Sequence, residues 1–197
     1  MQTYQEQRRY SPEEYLQLEE TAEYKSEYID GLIIPMAGGT TNHNRIALNV
    51  STELNFAFKQ QDYEVFMGDV RLWIAQHRIY TYPDVMVIVG EPIYWDNRTD
   101  TITNPIVIIE VLSESTEQFD RGEKFLRYGN WNPNLTDYML VSQDKPLIEH
   151  YIRQTDGGWT LYRYSGSDAD FTIETINCRF KLADIFDRVE FPPEIDE

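Results

Sequence analysis

A chain of 197 residues, 41% of them hydrophobic, is long enough for one domain with a sizeable core, and no apolar run in it approaches the ~20 residues that a membrane-crossing helix needs. Its 34 acidic residues outnumber 17 basic ones, for a formal net charge of −17, which argues against sequence-independent binding of nucleic acid through a broad basic surface; a local basic strip or a bound metal is still allowed where screening confines charge to ~8 Å. Cys178 is the only cysteine, so an intrachain disulfide and a cysteine-based zinc site are excluded, and His43, His77 and His150 are too scattered for a histidine metal site.

The N-terminus has no basic segment followed by an apolar one, so a cytoplasmic protein without a signal peptide is expected. Ser11-Pro12-Glu13-Glu14 combines an N-cap serine, a proline at the first helical position and a capping-box glutamate, predicting a helix to about Glu20. Residues 24–36 alternate around Asp30-Gly31, the turn pair of a β-hairpin whose first strand carries Glu27. Ile46, Val50, Leu54 and Phe58 recur every four residues, which marks an amphipathic helix over about 42–60.

Strands are expected at 63–67 and 70–74, separated by Gly68-Asp69, then at 82–89, followed by a polar loop over 91–104. After the strand at 106–112, Ser113-Glu114-Ser115-Thr116 offers N-caps for a helix from about Glu117 to Tyr128. Strands at about 138–142, 147–153 and 159–164 continue the sheet, 171–176 is a candidate for one more, and 182–186 reads as a short helical turn. One domain over 1–197 is expected, with its core at about 11–164 and an acidic tail at about 190–197.

The runs Tyr82–Val89 and Ile106–Leu112 are short, rich in β-branched residues and bounded by Gly, Pro or Ser, as strands buried on both faces are. Each carries one carboxylate. Asp84 stands at the mouth of the first, while Glu110 lies within the second, where an unpaired charge would cost several kcal/mol, roughly. A divalent cation between Asp84 and Glu110, with the backbone carbonyl of Val111 completing the inner shell, would compensate both charges. Hard oxygen ligands point to Mg²⁺ or Mn²⁺. The residues alone also allow Asp84 to cap a turn and Glu110 to pair with a core arginine, the second being the harder to sustain. Lys124 could orient or deprotonate an attacking water or stabilise phosphoryl charge, or simply form a surface pair with Asp120 four residues earlier.

Pro83-Asp84 followed by Glu110-Val111-Leu112 resembles the PD-(D/E)xK nuclease signature, with Leu112 where the lysine normally stands. The wider series is similar to the Uma-type family of predicted restriction endonucleases: Glu27-Tyr28-Ile29-Asp30-Gly31, His43, Pro83-Asp84-Val85, Pro105 leading into Glu110-Val111-Leu112-Ser113, then Asp120 to Lys124 with Tyr128. That resemblance implies an α/β restriction-endonuclease-like fold, a central mixed β-sheet flanked by helices. It implies Asp84 and Glu110 as metal ligands, Lys124 as the migrated catalytic lysine and Glu27 as an additional acidic residue. DNA is the substrate it implies, cut with Mg²⁺ or Mn²⁺, and a homodimer follows by analogy with nucleases of this fold. Two other functions stay open on the residues: an inactive nuclease-fold binding or regulatory protein in which Glu110 and Lys124 form a buried ion pair, and a hydrolase of a small phosphorylated molecule.

Overall fold

The computed structural model of the chain describes residues 8–113 and 116–193. Glu114 and Ser115, two of the expected helix caps, and the last four residues of the expected acidic tail lie outside these. The first half of the chain forms α1 (Pro12–Glu19), β1 (Ser26–Ile29), β2 (Leu32–Pro35), α2 (Thr41–Ala57), β3 (Tyr63–Met67), β4 (Arg71–Ile74), β5 (Ile79–Thr81) and β6 (Val85–Val89). Next come β7 (Thr101–Ile102), β8 (Val107–Leu112), α3 (Glu117–Phe119), a π turn (Asp120–Lys124) and α4 (Phe125–Trp131). The chain closes with β9 (Asp137–Ser142), β10 (Leu147–Arg153), β11 (Trp159–Ser165), β12 (Asp170–Ile173), β13 (Cys178–Lys181) and α5 (Leu182–Ile185).

The fold is mixed α/β, but its strands divide between two large sheets rather than entering one. A six-stranded sheet runs β11-β10-β9-β8-β6-β3, antiparallel except for the parallel β8–β9 pair. A five-stranded sheet runs β2-β1-β5-β4-β7, and β12 and β13 make a separate hairpin. The strands at 63–67 and 71–74, neighbours in sequence, thus belong to different sheets. Gly68, at φ 65°, takes the left-handed backbone that lets the chain leave one sheet for the other between them. β5, β7 and β13 were not expected; the three and two residues of β5 and β7 are too few to display a period, and β13 (Cys178–Lys181) carries only four.

Local signals explain the rest. Ser11 Oγ accepts the Glu14 N–H at 3.1 Å and Glu14 Oε2 accepts the Ser11 N–H at 2.8 Å, the reciprocal box that starts α1. Asp30 and Gly31 sit at φ 42° and 96°, as the tight β1–β2 turn requires. Along β8, Val107, Ile109 and Val111 pack with Ile46, Val50 and Leu54 of α2. Ile108 and Leu112 point the other way, into a second core with Tyr128, Tyr138 and Leu140. Glu110 shares that second face by strand alternation, so its carboxyl enters the space between the six-stranded sheet, the α3–α4 segment and the five-stranded sheet.

Candidate active site

β6 pairs with β8 antiparallel, with Val85 opposite Ile109; two residues further on, that register sets Pro83 opposite Val111. Val111 turns its N–H to the β6 side, and by alternation Ile108 and Glu110 turn their peptide groups toward β9. Asp84 uses this opening: its Oδ2 accepts the Val111 N–H at 2.8 Å. Pro83, having no N–H, leaves the Val111 carbonyl without a ladder donor from the opposite strand. The Asp84 N–H points to Glu110 Oε2 at 3.4 Å.

Lys124 comes from the π turn, a wider helical turn often found at functional sites. It brings Asp120, Lys124 and Tyr128 over β8. The Lys124 Nζ lies 2.9 Å from Glu110 Oε1 and 3.5 Å from Asp120 Oδ1, and the Tyr128 hydroxyl donates to Glu110 Oε1 at 3.0 Å. Tyr128 also lies 3.1 Å from Thr81 Oγ1, and Thr81 donates to Glu27 Oε1. The five-stranded sheet thereby adds Glu27 from β1 and Thr81 from β5. On the open side, His43 at the start of α2 places Nε2 3.2 Å from Asp84 Oδ2, and both side chains keep about a fifth of their surface, 21% and 20%, in solvent.

Burial sets the charge states. It pushes the Glu110 carboxyl up to about 8, with Lys124 opposing and Asp84 and Asp120 adding to the rise. For Lys124 burial works against the ammonium, but Glu110, Glu27 and Asp120 outweigh it and hold the group well above its ordinary value. Burial also raises Asp120 and, followed by Glu110 and Glu27, raises Tyr128 well above an ordinary phenol. The hydrogen bond to Asp84 raises His43 despite its burial.

The structure therefore brings Asp84, Glu110, Val111 and Lys124 together and connects Glu27 to them through Thr81 and Tyr128. Glu110's cation is Lys124 rather than an arginine, and the Lys124–Asp120 pair is buried rather than superficial. Leu112, in the usual lysine place, is apolar core at 4% exposure. Sequence reasoning gave no role to Asp120, Tyr128, Thr81 or His43. The four-residue spacing of Asp120, Lys124 and Tyr128 was the available signal for two of them; Thr81 had none. Among the described residues no three His, Cys, Asp or Glu side chains form a ready-made metal cage. The arginines nearest the motif are engaged elsewhere: Arg71 with Asp100 at 2.6 Å, Arg121 with Glu149 at 2.6 Å and Arg127 with Glu123 at 2.6 Å, while Arg78 reaches Asp30 at 3.6 Å. Cys178 is buried, with its thiol pushed up to about 11 by burial.

The profile of a family described as "Putative restriction endonuclease", Uma2, matches residues 12–183, past the β10–β11 hairpin into β12, β13 and α5. The uncharacterized protein sll1609 of Synechocystis sp. is 46% identical over 157 residues, covering 80% of this chain and 88% of that protein. A second uncharacterized Synechocystis protein, slr1290, is 39% identical over 182 residues, covering 92% and 93%. Among solved structures, a "putative nuclease belonging to DUF820" from Anabaena variabilis superposes with a TM-score of 0.73 over 90% of this chain and 97% of its own, at 21% identity.

Proposed function

The chain belongs to the Uma2 family, and from that premise we propose that it is a metal-dependent phosphodiesterase of the nuclease type, acting on nucleic acid, with Asp84, Glu110 and Lys124 as its working groups. The observation that carries this reading is the meeting of these three side chains, delivered by three separate elements, with Lys124 Nζ 2.9 Å from Glu110 Oε1. The donor set fits a hard divalent cation. Asp84 and Glu110 adjoin, the Val111 carbonyl faces a proline, and the acidic side chains Glu27, Asp84, Glu110 and Asp120 outnumber the basic side chains Lys124 and His43 around them. Two carboxylates and a carbonyl leave the remaining positions to water and substrate oxygens, as Mg²⁺ prefers.

Held by Asp84, Glu110 and the Val111 carbonyl, Mg²⁺ or Mn²⁺ would supply a Lewis acid for the phosphate and acidify an attacking water. Lys124 stays protonated among its carboxylates, so its part is to orient the attacking water and stabilise charge on the phosphoryl oxygens rather than to abstract a proton. Glu110 and Tyr128 fix the ammonium's position from below. Asp84, the most open of the three, faces the incoming substrate, with His43 beside it. Glu27 adds negative potential through Thr81 and Tyr128 that keeps Lys124 charged.

The pairing of Arg71, Arg121 and Arg127 with carboxylates favours a second reading: hydrolysis of a small phosphodiester, which needs no extended basic track. A substrate panel of double-stranded DNA, single-stranded DNA, RNA and bis(p-nitrophenyl) phosphate with Mg²⁺ or Mn²⁺ separates the two. Metal-dependent cleavage that falls by about a hundredfold or more in Glu110→Gln and Lys124→Ala is the expected result. Wild-type turnover in both variants, or none with any substrate in the native protein, would sink the proposal, and the second outcome leaves a nuclease-fold scaffold built on the Glu110–Lys124 pair.

A further inference from the structure

Asp84 and Glu110 are each held chiefly by one carboxyl oxygen. Glu110 Oε1 takes the Lys124 ammonium at 2.9 Å and the Tyr128 hydroxyl at 3.0 Å, while Oε2 has the longer contact with the Asp84 N–H at 3.4 Å. Asp84 Oδ2 takes the Val111 N–H at 2.8 Å and His43 Nε2 at 3.2 Å. Among the described residues no donor reaches Asp84 Oδ1.

Both groups that hold Oδ2 are themselves fixed. The Val111 N–H belongs to β8. His43 stands in the first turn of α2, where its own N–H donates to Thr40 Oγ1 at 3.1 Å, and Thr40 in turn donates to Gln143 Oε1 just past β9. Gln143 is buried, so the start of the helix is pinned to the six-stranded sheet. Gly39 packs against the ring: a Cβ there would stand 3.0 Å from His43 Nδ1, and glycine permits this close approach of backbone to imidazole.

An imidazole nitrogen this close to a carboxylate oxygen carries a proton, so Nε2 is the donor. Neutral and charged rings both make that bond, and no change of protonation is required. Nε2 is spent on Asp84 and Nδ1 lies on the side of Gly39, so neither nitrogen is offered to a cation. We propose, on the reading of Asp84 and Glu110 as metal ligands, that His43 is the positioning residue of the site: by holding Oδ2 against β8 it leaves Oδ1 as the oxygen that meets the cation. Hydrogen bonds of this kind orient ligating carboxylates. Keeping the ring out of the coordination also preserves an all-oxygen donor set, which suits Mg²⁺ or Mn²⁺ rather than a metal that seeks nitrogen.

The test is calorimetric titration with Mn²⁺, without substrate, together with pulsed electron paramagnetic resonance of the bound ion. Saturable native binding that Asp84→Asn removes is expected. His43→Leu should weaken it about 10–100-fold, and His43→Gln, whose amide N–H can replace Nε2–H, should recover most of the loss. These two variants are both neutral and similar in size, so their difference reads the donor rather than charge or packing. Gly39→Ala, which crowds the ring without touching Asp84, should weaken binding in the same direction and keeps the test open if His43→Leu impairs folding. Bound Mn²⁺ should show no strong coupling to a ring nitrogen. Equal affinity in His43→Gln and His43→Leu, or strong nitrogen coupling that His43→Leu abolishes, would overturn the proposal, the latter by making the ring a ligand. Binding that needs Asp84 but is indifferent to His43 would overturn it alone; no binding, or binding indifferent to Asp84→Asn, would sink the metal site and His43's role together.

Discussion

Lys124 Nζ and Glu110 Oε1 lie 2.9 Å apart, although one residue comes from a π turn and the other from the middle of a strand. On the proposed reading, the lysine that the PD-(D/E)xK signature carries two residues after its glutamate is supplied here from the adjoining helical segment. The strand position it vacates is filled by Leu112, packed with Ile108 and Leu140. Charge and core have exchanged elements without leaving the site.

Removing the ammonium strands a buried carboxyl. Above about pH 8, where Glu110 is ionised, Lys124→Ala is expected to lower stability by about 3 kcal/mol, and at any pH to abolish turnover; Glu110→Gln in the same background should recover part of the stability but none of the activity. Urea unfolding of the single and double variants checks this. Additive losses would mean that the two groups do not interact.

Stability of the metal-free protein should fall as pH rises from about 4.5 toward 8. The folded Glu110 carboxyl is raised from 4.5 to about 8, so in that window the native state holds a proton that the unfolded chain has released. Its contribution is complete below the unfolded value and lost as pH passes the folded one. The slope from this group is at most about 1.4 kcal/mol per pH unit. Asp120 and His43, also raised, act in the same direction, so Glu110→Gln should flatten the profile without levelling it. Unfolding midpoints for both proteins at several pH values decide the matter; parallel profiles would rule out Glu110 as a source.

Binding of Mn²⁺ or Mg²⁺ should release a proton below pH 8, because a ligating Glu110 must be ionised. Apparent affinity then rises with pH up to about 8 and changes little beyond. Calorimetric titration in two buffers of different ionisation enthalpy counts the proton. Identical heats in both buffers, with saturable binding, would place the metal elsewhere.

Tyr128→Phe withdraws one hydroxyl from Glu110 Oε1 and Thr81 Oγ1 together. A loss of about 1–3 kcal/mol is expected, read as a fall of several degrees in thermal midpoint, with Thr81→Val costing less because it leaves the bond to Glu110 intact. A Tyr128→Phe protein as stable as the native one would show the hydroxyl to be dispensable.

Much of this was legible in the chain before its structure. The capping box at Ser11, the Asp30-Gly31 turn, the four-residue apolar spacing along α2 and the β-branched run of β8 are local signals, and each formed the element it predicts. The placement of Glu110 on the face of Ile108 and Leu112 followed from strand alternation alone. What stayed hidden was long-range. Nothing near Gly68 states that β3 and β4 pair in different sheets, and β5 has no period of its own because its three residues take their conformation from β1 and β4. Thr81 reaches the site through those pairings and His43 through the packing of α2 on β8, so neither is placed by a pattern of its own.

The division of β3 and β4 between two sheets also governs how the protein comes into being. Glu27 and Thr81 approach Glu110 and Tyr128 only when the sheets have closed on each other, and Glu110 is enclosed only once β9, ending at Ser142, has paired alongside β8. A nascent chain on the ribosome therefore has no assembled pocket until well over half its length has emerged. A truncated product ending before β9 would carry Asp84, Glu110 and Lys124 in its sequence while lacking the enclosure that makes them a site.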